Sequence, residues 1–159
     1  MRSVVPAGRS DTTMMTGHSN PVWIRALLSQ RWVLLLARLA LVSAYLIGGV
    51  DKALNFNDAI AEQAHFGLHP AALWAALAVA IEIAGSLCVV FRRFTWIGAG
   101  GLGVLTVVAM LVANDFWNRT GVARFMALNS FFEHLGLIAA LVFATILSDA
   151  NHVAGDSRA

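Results

Sequence analysis

The chain has 159 residues, of which 58% are hydrophobic and 13% charged, with a mean hydropathy of +0.71. Soluble domains carry about twice that share of charge, and so short a chain cannot bury such an apolar excess in one water-facing core. Disorder, a nucleic-acid module and most soluble enzymes are therefore excluded, and lipid is the indicated solvent. The net charge of +2, from 11 basic and 9 acidic residues, is small, so the placement of the charges matters more than their sum.

Residues 1–22 are polar and broken by Pro6, Gly8, Gly17 and Pro21. No apolar run follows Arg2, so the segment reads as a flexible cytoplasmic tail and not as a signal peptide. A membrane domain is expected over residues 23–148, with helices near 32–50, 71–91, 94–113 and 128–147. Each run approaches the roughly 20 residues that cross about 30 Å of hydrocarbon at 1.5 Å per residue. Residues 149–159 read as a short second tail. The expected fold is all-α, an integral membrane four-helix bundle.

The charges orient it. Arg2, Arg9, Arg25 and Arg31 precede the first span, and Arg92-Arg93 links the second to the third. The loops 51–70 and 114–127 mix Lys52, Arg119 and Arg124 with Asp51, Asp58, Glu62 and Asp115. The positive-inside rule then places both termini in the cytoplasm. Trp23, Trp32, Trp74, Trp96 and Trp117 lie near span ends, where they either sit at the lipid interface or pack in the bundle. In the third span Gly98, Gly100, Gly101 and Gly103 read as a close-packing surface rather than as the approach of a planar cofactor.

Ionisable groups inside hydrocarbon cost about 2.5–3.5 kcal/mol each even on the lenient scale, so Arg38, Glu82, Glu133 and His134 require an account. Glu82 lies mid-span, too deep to reach an interface, and is expected to pair with Arg38 or to carry a proton. Aligning the two runs end to end leaves these residues about 6 Å apart in depth. Such a pair is either a structural tie between the first two spans or part of a site. Arg38, Tyr45 and Lys52 recur at intervals of seven and share one helix face. Glu82 is flanked by Ala78, Gly85 and Ser86, while Asn129, Glu133, Gly136 and Ala140 form a stripe beside Ser130 and His134. Arg38, Tyr45, Glu82, Glu133 and His134 are thus the candidate residues of a buried proton or small-molecule site, with small neighbours leaving room.

No metal is expected. His65 and His69 stand four apart and could meet a metal only if a helix outside the membrane carried both. The single cysteine, Cys88, provides neither a disulfide framework nor a dithiol pair and reads as an inert thiol in an apolar run.

The segments RLALVSAYLIGGVDKALNF from Arg38, IEIAGSLCVV around Glu82, NDFW at 114–117 and NSFFEHLGLIAAL in the last span together resemble the DoxX-like membrane proteins, over roughly residues 30–148. Two positions depart from that pattern: Asn114 stands where a His is common, and Glu133-His134 where Lys-Asn or Asn-His is common. The resemblance implies a multi-pass protein of the bacterial cytoplasmic (inner) membrane, in a family associated with sulfur and quinol oxidation and with soluble redox partners. On that reading Arg38 would hydrogen-bond a quinone carbonyl, Glu82 would exchange its proton, Tyr45 and His134 would orient the ring, and Glu133 would connect to the outer face. The chain offers no redox cofactor of its own, so quinone and a redox partner protein are the implied partners beside membrane lipid. The alternative is a non-catalytic scaffold or chaperone. A transporter is weaker, because neither an inverted repeat nor a broken helix is apparent.

Overall fold

The structure, a computed structural model, describes residues 20–156; the side chains described end at Asp149. Most of the expected N-terminal tail, with Arg2 and Arg9, lies outside the described residues. Six α-helices follow in order: α1 (Val22–Leu28), α2 (Arg31–Leu54), α3 (Phe56–His65), α4 (Ala71–Phe91), α5 (Thr95–Ala113) and α6 (Gly121–Asp156). A single 3-10 turn, Phe116–Asn118, precedes α6. Four of these helices, α2, α4, α5 and α6, are long and apolar enough to cross a membrane. Helices close every backbone hydrogen bond within the segment, which is what hydrocarbon demands of a spanning chain.

The spans run alternately up and down. The starts of α2 and α5 and the Arg92–Phe94 turn form one end of the bundle, here the arginine end; α3 and the 3-10 turn form the opposite end. At the arginine end the chain reverses through two non-glycine residues in the left-handed region, Arg92 (φ 61°) and Phe94 (φ 57°). That region is costly for side chains bearing a Cβ. The core is a narrow seam of Val42, Tyr45, Val89, Ala99, Leu102 and Leu141, drawn from all four spans. Outside it, large apolar side chains such as Leu36, Ile47, Leu77, Val104 and Phe143 face outward, as a lipid-facing surface requires. All five tryptophans are exposed near helix ends, which favours the interfacial reading over internal packing.

Helices α4 and α5 coincide with their apolar runs to within one residue, but α2 and α6 are longer than expected. Helix α2 continues one turn past Val50 to Leu54, because Asp51 and Lys52 are polar without being helix breakers. Helix α6 has 36 residues, about 54 Å of helix, and so continues into the segment expected to be a tail. Within the expected loop 51–70, α3 forms an amphipathic helix that buries Ala59 and packs on α4. It ends at His65, and Gly67 at φ 75° turns the chain, so His65 and His69 never share a helix face. Among the described residues no His/Cys/Asp/Glu group is arranged to hold a metal.

The glycines of α5 divide into two sets. A Cβ on Gly98 would meet the Gly85 carbonyl oxygen at 2.5 Å and Cys88 Cβ at 2.6 Å, so α4 and α5 touch backbone to backbone there. Gly101 likewise faces α4, against Ile81. Gly100 and Gly103 instead have nothing within 4 Å of a built Cβ and line an apolar groove of about 490 Å³ between α5 and α6.

Candidate functional site

The polar stripe of α2 extends further than Arg38, Tyr45 and Lys52: Arg31 lies seven residues before Arg38, so four polar side chains repeat every two turns. Arg31 and Arg38 share one surrounding, and Tyr45 and Lys52 each meet another. Lys52, near the end of α2, donates from Nζ to both oxygens of Glu82, at 2.8 Å to Oε1 and 3.2 Å to Oε2. The ammonium side chain is 22% exposed and the carboxylate side chain 10%. Two glycines permit this approach. A Cβ on Gly49 would lie 3.0 Å from Glu82 Cβ, and one on Gly48 would lie 3.5 Å from both Glu82 Oε2 and Lys52 Nζ.

The expected Arg38–Glu82 pair is therefore not formed. Glu82 lies level with Gly48 and Gly49, ten or more residues along α2 from Arg38, or about 15 Å of helix rise. The end-to-end alignment of apolar runs misjudged that depth because α2 is a turn longer than its run and packs by its glycines. Arg38 lies instead in a cleft at the arginine end with Arg31 and Arg92. Lys52 was legible as a member of the stripe; its role as the carboxylate's partner was not.

Tyr45 links α2 to α5. Its hydroxyl stands 2.5 Å from Thr106 Oγ1, and Thr106 spends its own proton on the Leu102 carbonyl at 2.7 Å, so Tyr45 is the donor. Glu133 and His134 are not brought to Glu82. Glu133 is exposed and accepts from Asn129 Nδ2 at 3.0 Å on its own helix. His134 Nδ1 lies 2.6 Å from the Ser130 carbonyl, a bond that requires the proton on Nδ1. Of the small residues expected to leave room, Ala78 does line a cavity beside Glu82, whereas Gly85 is filled by Leu102 and the α5 backbone, and Gly136 faces open space away from it. Ser86 is fully buried, and its Oγ has no hydrogen-bond partner.

The Lys52–Glu82 pair opens onto a cavity of about 150 Å³ bounded by α2, α3, α4 and α5, and no described side chain of α6 lines it. Glu62 and Gln63 of α3, with Phe66 and Leu68 beyond it, cover one side; Ala78, Leu105 and Ala109 are among the apolar residues of the other. A cavity of about this size accepts a ring the size of benzene. The arrangement offers a small molecule the Lys52 donor, the Glu82 carboxylate with Glu62 also on the lining, and an apolar wall.

The NDFW segment has a structural role. Arg119 Nε donates to Asp115 at 2.6 Å, and its Nη2 donates to the Ala113 carbonyl at 3.1 Å, which closes the end of α5. Phe116 and Trp117 pack edge-on against Phe131 of α6, at centroid distances of 5.3 and 6.5 Å.

Residues 33–115 match the DoxX family. The matched segment runs from the start of α2 to just past α5, so it contains Arg38, Tyr45, Lys52 and Glu82 but neither Glu133 nor His134. The chain is also similar to the inner membrane protein YphA of Escherichia coli (strain K12), 25% identical over 114 residues, which are 72% of this chain and 81% of that protein. No solved structure matches it. With four apolar helices, a family match over more than half its length and an inner-membrane relative, the chain is a membrane protein and belongs to the DoxX family.

Proposed function

We propose that the protein is a quinone-associated subunit of the bacterial inner membrane, working with a redox partner protein, and that Lys52 and Glu82 form its proton-exchanging pair. The observation that carries this reading is the half-buried ion pair on the wall of an otherwise mostly apolar, ring-sized cavity. A quinone carbonyl requires a donor, which Lys52 offers; a quinol hydroxyl requires a proton acceptor, which the Glu82 carboxylate offers. Reducing a quinone takes two electrons and two protons. The chain's own residues can handle protons, and the electrons on this reading come from the partner. Tyr45 holds α2 against α5 two turns from Lys52, and so positions the stripe without touching the ligand. With both termini cytoplasmic, as the positive-inside rule places them, the cavity lies toward the external face.

Titrating the purified full-length protein with a short-chain quinone, and reading tryptophan fluorescence, tests this. Saturable quenching is expected, partly through Trp74, two turns from Glu82 on α4. It should weaken about tenfold or more in the double variant Lys52→Met/Glu82→Gln, which removes both hydrogen-bonding charges without stranding either. Absence of saturable quenching in the unmodified protein would overturn the reading. A scaffold role would then stand in front, favoured by one observation: Lys52 and Glu82 satisfy each other in a bidentate contact that ties α2 to α4.

A further inference from the structure

At the arginine end, Arg31 and Arg38 of α2 and Arg92 of the α4–α5 turn line one cleft of about 290 Å³, whose other walls are Leu34, Leu35 and Val90. Among the described residues no carboxylate lines it. Arg38 is half-buried and, among the described residues, has no hydrogen-bond or ion-pair partner. Asp149 lies across an adjoining cavity that Arg92 shares with Arg93, and pairs with neither. The first turn of α2 has no acidic residue and no side-chain cap, so the positive end of the helix dipole reinforces the field of the three guanidinium groups. Like charges gathered around a partly desolvated cleft repel one another, and an anion seated among them reverses the sign of that interaction.

We propose that this cleft binds the phosphate of an anionic phospholipid. A planar guanidinium presents paired donors to phosphate oxygens, and three around one cleft surpass what diffuse surface attraction requires. The apolar walls favour a lipid over free phosphate. Leu34 and Leu35 continue from the cleft onto the exposed flank of α2, with Trp32 beside them, which gives an acyl chain a surface to follow. Basic pockets between spans, near the membrane interface, are suited to such headgroups. The site is separate from the proposed quinone cavity: Arg38 and Lys52 are 14 residues apart on α2, about 21 Å of helix rise.

The test uses the full chain, purified in detergent and stripped of lipid. Native mass spectrometry and thermal unfolding are followed while phosphatidylglycerol, chain-matched phosphatidylcholine or inorganic phosphate is added at fixed ionic strength. Saturable binding of phosphatidylglycerol is expected, with Arg38→Gln and Arg92→Gln each weakening it about tenfold, the scale of one charge-assisted hydrogen bond. Arg124→Gln, at the opposite end of the bundle, should leave it unchanged. Arg92 lies in an exposed turn, so its variant keeps the test decisive if Arg38→Gln fails to fold. Equal binding of phosphatidylcholine, or an equal loss in Arg124→Gln, would overturn the site. Arg38-dependent binding of inorganic phosphate as tight as that of the lipid would overturn the lipid assignment. Quinone quenching that persists in Arg92→Gln separates this outcome from the fate of the proposed function.

Discussion

Lys52 Nζ bridges both carboxylate oxygens of Glu82, thirty residues later in the chain, at the point where Gly48 and Gly49 bring α2 against α4. The contact accounts for the deepest acidic residue of the spans. It also sets this ion pair toward the α3 end of the bundle, away from Arg38.

Its energetics are testable. Removing one partner leaves an uncompensated charge, and for a well-buried pair the loss is about 3–5 kcal/mol; partial exposure of Lys52 lowers the expectation to about 2–3 kcal/mol. Lys52→Met and Glu82→Gln should each destabilise the bundle, and the double variant should recover part of the loss. Thermal unfolding of the four species gives the coupling energy, expected to exceed about 1 kcal/mol. Additive effects would remove the pair. The parallel cycle of Arg38→Gln with Glu82→Gln should be additive.

Gly98 and Gly100 should respond in opposite ways to the same methyl group. Gly98→Ala places a Cβ within 2.6 Å of Gly85 and Cys88, so α4 and α5 must separate, at a cost of about 1–3 kcal/mol. Gly100→Ala meets open space and should be neutral or stabilise by up to about 1 kcal/mol, because alanine restricts the unfolded chain more. Equal effects on the unfolding temperature would contradict the backbone contact.

Tyr45→Phe should cost about 0.5–1.5 kcal/mol, the net value of one hydrogen bond. Thr106 keeps its bond to the Leu102 carbonyl in that variant, so no donor is stranded. Thr106→Val should remove the same Tyr45 bond and leave the phenol unpaired in the core. Combining the two should cost less than their sum, as measured by thermal unfolding. A fully additive pair would show that the hydroxyls do not interact.

Reporter fusions at Gly17 and Ala154 should both read cytoplasmic, and insertions in the 55–65 segment external, because Arg25, Arg31, Arg92 and Arg93 gather at one end of the bundle. A cytoplasmic signal from the α3 segment would invert the orientation and place the Lys52 cavity on the inner face.

Four spans and an all-helical membrane fold are legible in the residues alone, because lipid leaves a chain of this hydropathy few other ways to satisfy its backbone. Runs as apolar as Ala71–Phe91 carry that signal in every residue. The stripe of Arg38, Tyr45 and Lys52 was also legible, since a period of seven returns to nearly one helix face wherever the helix sits. What the members of the stripe meet is set by how the helices cross. Depth along a span depends on where backbones cross, and the crossing at Gly49 moved Glu82 away from Arg38 and up to Lys52. Helix α3 was hidden because one amphipathic stretch with a small buried residue, Ala59, resembles a polar loop until α4 is there to receive it. Glu133 and His134 share a face with small residues, but α6 packs mainly against α5, so that face never reaches Glu82. Period fixes the face of a helix; only packing fixes its neighbour.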